Sequence, residues 1–298
     1  MQQDRILSAV GLRLLSVALF SLMNLGVKLA EAGGARLGEI LFFRQGGAAV
    51  LTLAVVAAGP GLATLRSERM GAHVLRCVLG LTTMALTFSS VLRLQLAEAT
   101  TIGFSMPIFA TVLGALVLGE PTGWRRWAAV LAGFAGVVIV ARPGAGGLPF
   151  DGAALGQLGA FGTAWITILL RRMRGERALT TVFWFSALSM LPLSLVYWRS
   201  AQAHPPLVWL LLASLGLLGG AAQMAMTASL VRGPVSVVVP MDYTMLLWAT
   251  ALGWLAFGAL PGPQLWLGAP LVVGSGLFIV WREHVRRREE TRQAVAEE

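Results

Sequence analysis

The sequence predicts an all-α integral membrane protein of ten transmembrane helices, arranged as two inverted five-helix repeats. Three observations predict it. The chain is 56% hydrophobic and 12% charged, with a mean hydropathy of +0.74, whereas a soluble domain carries about 25% charged residues. Apolar runs of about 20 residues, the length a helix needs to cross the hydrocarbon layer, recur throughout the 298 residues. Two distant stretches also end alike. Leu118-Gly119-Glu120-Pro121 leads into Trp127 to Val140 and stops at Arg142, and Phe257-Gly258-Ala259-Leu260-Pro261 leads into Trp266 to Val280 and stops at Arg282. Each follows an apolar segment with an internal proline, Pro107 in one and Pro240 in the other. Interrupted apolar segments at corresponding places in two halves point to a path at the bilayer midplane. A repeat with an odd number of crossings is necessarily inverted relative to its twin.

In chain order, the first five spans lie near 11–31, 38–58, 73–92, 97–118 and 124–141, each bounded by charge, Gly or Pro. The second five lie near 153–170, 179–198, 207–229, 234–258 and 264–281. The Gly/Pro-rich link from Pro143 to Pro149 divides the repeats, giving one over 1–143 and a second over 144–283. The tail 284–298 mixes Arg and Glu at helical spacing and reads as a charged, solvated cytoplasmic helix end, with Arg286, Arg287 and Arg288 within reach of lipid headgroups. Gly152-x-x-x-Gly156-x-x-x-Ala160 is a close-packing helix face.

Orientation follows from Lys and Arg, which gather on the cytoplasmic side. With the amino terminus inside, Arg66, Arg69, Arg76, Arg125, Arg126, Arg171, Arg172, Arg174, Arg177 and the basic tail are cytoplasmic. Arg36, Arg93, Arg142 and Arg199 face the other way. Both termini are therefore expected in the cytoplasm, with the chain in the cell inner (plasma) membrane. The net charge of +9 is a topology signal and not a nucleic-acid surface. Cys77 is the sole cysteine, so no internal disulfide forms, and His73, His204 and His284 are scattered. No metal-ligand spacing, nucleophile–base set or phosphate-cradling loop appears, so no catalytic residue, metal or cofactor is expected.

The order and spacing of several short motifs carry a family resemblance. The first half contains Leu96-Ala97-Glu98-Ala99-Thr100, Phe104-Ser105-Met106-Pro107, Leu118-Gly119-Glu120 and Gly133-Phe134-Ala135-Gly136-Val137. The second contains Val239-Pro240-Met241-Asp242-Tyr243-Thr244, Leu247-Trp248-Ala249, Gly253-Trp254, Phe257-Gly258 and Leu277-Phe278-Ile279-Val280. Over about residues 8–283 the chain resembles the drug/metabolite transporter superfamily, in its EamA type with two tandem repeats. The resemblance implies a ten-helix bundle around a central path, alternating access and a carrier of small organic solutes, usually an exporter. Lys28 and Arg44 match basic positions often found in the first two helices of such proteins. Two departures stand out. The acid of the Leu-Gly-Glu motif is Glu120 in the first half but Ala259 in the second, and Pro107 to Gly119 is 12 residues whereas Pro240 to Gly258 is 18. The two prolines are therefore not expected at equivalent depths.

Polar groups within spans are costly and survive where they face a cavity or a partner. Lys28, with Asn24 at i−4, either lines the path or snorkels to the interface. Arg44, with Gln45 beside it, either pairs with Glu39 or Glu31 or grips a substrate carboxylate or phosphate. Arg13 reads as an interface anchor. Asp242 and Tyr243 follow Pro240, which frees a backbone carbonyl. They either bind a substrate amine or carry a proton, or Asp242 pairs with a cation on a neighbouring helix. Glu98 either lines the outer vestibule with Ser105 or is solvated at its mouth. Trp165, Gln223 and Trp248 are further candidate wall residues, set against plain packing. Pro107 and Pro240 are expected hinges, and Glu120 a gate or a loop staple beside Arg125 and Arg126.

The expectation is a secondary transporter of small polar metabolites, with amino-acid or related zwitterion export as the leading reading. Uptake of a larger metabolite such as a vitamin or nucleoside-like cofactor is the alternative. No nucleotide-binding motif is present, so a proton or a counter-substrate would drive it, in a monomer or homodimer. A membrane sensor or scaffold is the reading from another class and predicts long loops or a soluble domain.

Overall fold

The structure is a computed structural model that describes all residues except 1, 118, 120–122, 142–147, 173–175, 177, 233–237 and 297–298. It is built from helices α1 Gln2–Ala32, α2 Leu37–Ala58, α3 Met70–Arg93, α4 Leu96–Gly103, α5 Met106–Val117 and α6 Trp124–Ala141 in the first half. The second half supplies α7 Phe150–Arg172, α8 Ala178–Ser200, α9 Pro206–Arg232, α10 Met245–Phe257 and α11 Pro263–Ala296. Short 3-10 turns occupy Leu62–Leu65 and Val239–Thr244. Among the described residues, nine segments are long and apolar enough to cross a membrane, with α4 and α5 counted as one. The tenth consists of the 3-10 turn at Val239–Thr244 and α10. Large apolar side chains such as Leu116, Leu131, Leu255 and Trp198 stand more than two-thirds exposed. Lipid is the solvent that such a surface suits.

Helix packing has the symmetry of an inverted repeat. In the first half α1 rests on α9, and in the second α7 rests on α3; likewise α2 meets α9 while α8 meets α3. The broken span of each half lies against the first helix of the other, α4 and α5 on α7, the Val239–Thr244 turn and α10 on α1. In lipid no hydrophobic force drives one apolar helix onto another, so association rests on packing, and small residues set how closely backbones approach. At the α2–α9 crossing, a Cβ added to Gly47 would lie 2.6 Å from the Gly216 Cα. The expected small-residue face of α7 does pack closely, with Gly152 against Leu94 and Gly156 against Ser90, whose Oγ donates to the Gly152 carbonyl at 2.8 Å.

Both discontinuous spans break where the prolines predict an interruption, and the unequal proline spacing has a simple cause. The fourth span breaks at Phe104–Ser105, before Pro107; the ninth breaks over Val239–Thr244, which contains Pro240. From break to end the two pieces match, α5 with 12 residues and α10 with 13. Pro107 follows its break, whereas Pro240 lies within the equivalent one. Gly119 and Gly258, just past those pieces, share a left-handed backbone, with φ of 65° and 62°, a conformation glycine adopts without a Cβ penalty.

Two acids near span mouths, Glu98 and Glu39, serve helix ends. Glu98 is buried as the third residue of α4 and accepts from the Gln95 backbone N–H at 3.1 Å. Its expected vestibule or solvated position gives way to a capping box, which satisfies a donor the first turn leaves orphaned. Glu39 does the same for α2, accepting from the Arg36 N–H at 2.8 Å, and is also hydrogen-bonded to His204 Nε2 at 2.9 Å. Glu39 is therefore not a partner for Arg44.

Candidate functional site

A cavity of about 410 Å³ is walled by both halves. Helix α2 contributes Arg44 and Ala48, and α3 contributes Arg76. Helix α8 adds Thr181, Val182, Phe185 and Ser186, and α9 adds Gly219, Gly220, Gln223 and Thr227. Leu170 of α7 and Glu176 of the following loop complete it. The Arg44 side chain lies beside Gly219 of α9, where a Cβ would come 2.9 Å from Met23 Sδ and make only ordinary contact, 3.5 Å, with Arg44 Nε. The Arg44 guanidinium donates to Gln45 Oε1, and Gln45 is fixed in turn by donating to Ser189 Oγ at 3.2 Å. The Arg76 guanidinium lies over the Phe185 ring, 4.3 Å from its centroid, a favourable cation–π arrangement.

Of the residues singled out from sequence, this cavity brings together Arg44 and Gln223, with Gln45 positioning Arg44. Arg76 was counted only as a cytoplasmic topology charge, yet it lines the cavity within α3. Its place between Ala72 and Gly80 on an apolar helix was the available signal. Lys28 lies elsewhere. Its ammonium donates to the carbonyls of Val91 and Leu94 at 2.9 and 2.5 Å, closing the carboxyl end of α3, where a cation complements unpaired carbonyls. It is thus a helix cap and not a snorkelling side chain, although it also borders a smaller cavity of about 280 Å³ with Phe257 and Ala259. Asn24 is half-buried on α1.

Asp242 and Tyr243 sit at the ninth break. Arg13 of α1 donates to both carboxylate oxygens of Asp242 through Nε and Nη2. The expected interface anchor is therefore the cation that pairs with Asp242, and Asp242 is not free in this conformation to hold a substrate amine. Tyr243 packs edge-on against Phe104, 4.9 Å between centroids, so the two breaks touch. Its hydroxyl is buried without a hydrogen-bond partner among the described residues. Ser105 is buried, donating to the Ile102 carbonyl at 2.7 Å and accepting from Gln157 at 3.1 Å; it ties the fourth break to α7 and lines neither cavity described here. Trp165 packs with Phe161, Leu113 and Ile168. Trp248 is 42% exposed on α10, so neither tryptophan walls the larger cavity. Glu120 lies outside the described residues.

A two-repeat helical bundle with broken spans and a cavity between its halves defines a membrane transporter. The sequence matches the EamA-like transporter family over residues 7–142 and again over 151–281, and the chain belongs to that family. It is a multi-pass membrane protein. It is 30% identical over 233 residues to a riboflavin transporter of Vibrio cholerae serotype O1, covering 76% of this chain and 77% of the relative. A riboflavin transporter of Rhizobium johnstonii is 31% identical, covering 77% and 76%. An S-adenosylmethionine uptake transporter of Rickettsia bellii is 26% identical, covering 82% and 84%. A solved crystal structure superposes with a TM-score of 0.60 over 95% of this chain and 99% of its own, at 23% identity, and shares the fold.

Proposed function

We propose that the chain is an uptake carrier for a large heteroaromatic metabolite of the vitamin or nucleoside-cofactor kind, working by alternating access in the bacterial plasma membrane with both termini cytoplasmic. The observation that carries this reading is the cavity of about 410 Å³ at Arg44 and Gln223, a volume within the ~300–1,000 Å³ range of small-molecule sites. Phe185, Val182 and Leu170 offer apolar area to a flat ring, and Thr181, Ser186, Gln223 and Thr227 offer hydrogen bonds to a hydroxylated chain or sugar. The two substrates named for the relatives, riboflavin and S-adenosylmethionine, both join a nitrogen heterocycle to such a chain or sugar. Amino-acid export, the other reading of the same charged groups, has no counterpart among those relatives.

The test is accumulation of labelled riboflavin, and in parallel of labelled S-adenosylmethionine, by bacteria that lack their own carriers and express this chain. Uptake of one of them well above the vector control is expected. Accumulation of neither, with the protein present in the membrane, would overturn the reading.

A further inference from the structure

We infer that Arg44 and Arg76 form an oxyanion subsite in the larger cavity, one that receives a phosphate or carboxylate of the carried metabolite. The inference rests on the uptake reading and sharpens it, since it separates anionic cargo from neutral cargo of the same shape.

Both guanidiniums line one cavity. Neither has a carboxylate within ion-pair distance among the described residues. The hydrogen-bond partner of Arg44 is the neutral amide of Gln45. Arg44 Nε, Arg76 Nε and Arg76 Nη1 are buried donors with no partner among the described residues. Glu176, the acid on the cavity wall, is already engaged by Ser67 Oγ, which donates to it at 2.7 Å, and lies 3.7 Å from His73. Other arginines show the contrast, with Arg13 held by Asp242 and Arg93 by Asp151.

Two like charges inside membrane-spanning helices, without a counter-ion and with N–H groups unused, are costly to maintain. A ligand oxyanion supplies what is missing, because the planar guanidinium fork matches a carboxylate or phosphate with paired hydrogen bonds. The side chains are also held in advance, Arg44 by the Gln45–Ser189 pair and Arg76 by the face of Phe185. Little side-chain freedom remains to be lost on binding. Thr181, Ser186 and Thr227 stand on the same wall for the rest of the ligand.

The experiment uses the purified full chain in nanodiscs of phosphatidylcholine and two matched probe pairs. One is riboflavin against riboflavin 5′-phosphate; the other is S-adenosylmethionine against its decarboxylated form. In at least one pair the oxyanion-bearing member is expected to bind about tenfold more tightly. Arg44→Gln with Arg76→Gln should erase that preference, bringing the affinity of the oxyanion-bearing member down to that of its partner. Should the double variant not fold, Arg44→Lys and Arg76→Lys keep the charge but lose the fork, and each is expected to reduce the preference. Equal affinity within both pairs, or a preference that survives the double variant, overturns the subsite without touching the uptake reading. Failed cellular uptake with the binding preference intact would instead sink the uptake reading alone. Competition by added phosphatidylglycerol, with no preference in either probe pair, would assign the arginines to a lipid headgroup and overturn the inference.

Discussion

Arg13 of α1 clamps both carboxylate oxygens of Asp242, so the first helix of one repeat is bound to the broken span of the other. Movement of the Val239–Thr244 turn relative to α1 must part this pair. The side chains are 8% and 35% exposed, so water screens the carboxylate in part. A double-mutant cycle of Arg13→Ala and Asp242→Ala, read by thermal inactivation in detergent, should give a coupling of about 1–3 kcal/mol. Simple additivity would mean the pair contributes nothing to the fold. A proton-carrying role for Asp242 would show separately: Asp242→Asn would lose pH-driven uptake yet keep substrate exchange.

Lys28→Met removes a cation from the carboxyl end of α3 and leaves the Val91 and Leu94 carbonyls unpaired. A loss of about 2 kcal/mol in stability is expected, with substrate affinity nearly unchanged. A large fall in affinity at an unaltered melting temperature would return Lys28 to the substrate path.

Gly47 and Gly216 set the α2–α9 distance. Alanine at either position forces the backbones apart, an overpacking cost of about 1–3 kcal/mol. Gly11→Ala, where the new Cβ meets nothing within 4 Å, is the control and should not be destabilising. Equal thermal midpoints for Gly47→Ala and Gly11→Ala would refute the close crossing.

Topology is tested by cysteine labelling in a Cys77→Ala background. Arg177→Cys and Arg286→Cys should react with an impermeant maleimide from the cytoplasmic side alone, and Gly146→Cys from the outside alone. Labelling of Gly146→Cys from the cytoplasm would contradict the proposed orientation, because five crossings separate it from the amino terminus.

The helices were legible because a bilayer demands long apolar runs, and such runs leave an unbroken trace in sequence. The span near 38–58 is α2 Leu37–Ala58, and that near 124–141 is α6 Trp124–Ala141. The breaks were legible as prolines, although Pro107 follows its break and Pro240 lies within one. Partners were harder to read. Arg13 and Asp242 are 229 residues apart, and no periodicity links a cation near one span end to an acid in another. Arg76 looked like a topology charge because positive charge at a helix end serves that purpose whether or not the side chain turns inward. Glu98 and Glu39 cap their helices beneath Gln95 and Arg36, where the usual Ser or Thr of a capping box is absent.

The larger cavity takes Arg44 and Arg76 from the first repeat and Phe185, Gln223 and Thr227 from the second. Neither repeat encloses that space alone. Cut between the repeats and produced as two polypeptides, the protein would regain ligand binding only through complementation, when each fragment finds the other in the bilayer. Where that cavity holds the cargo as proposed, recognition is a property of the seam, and separation would abolish it before either fragment unfolded.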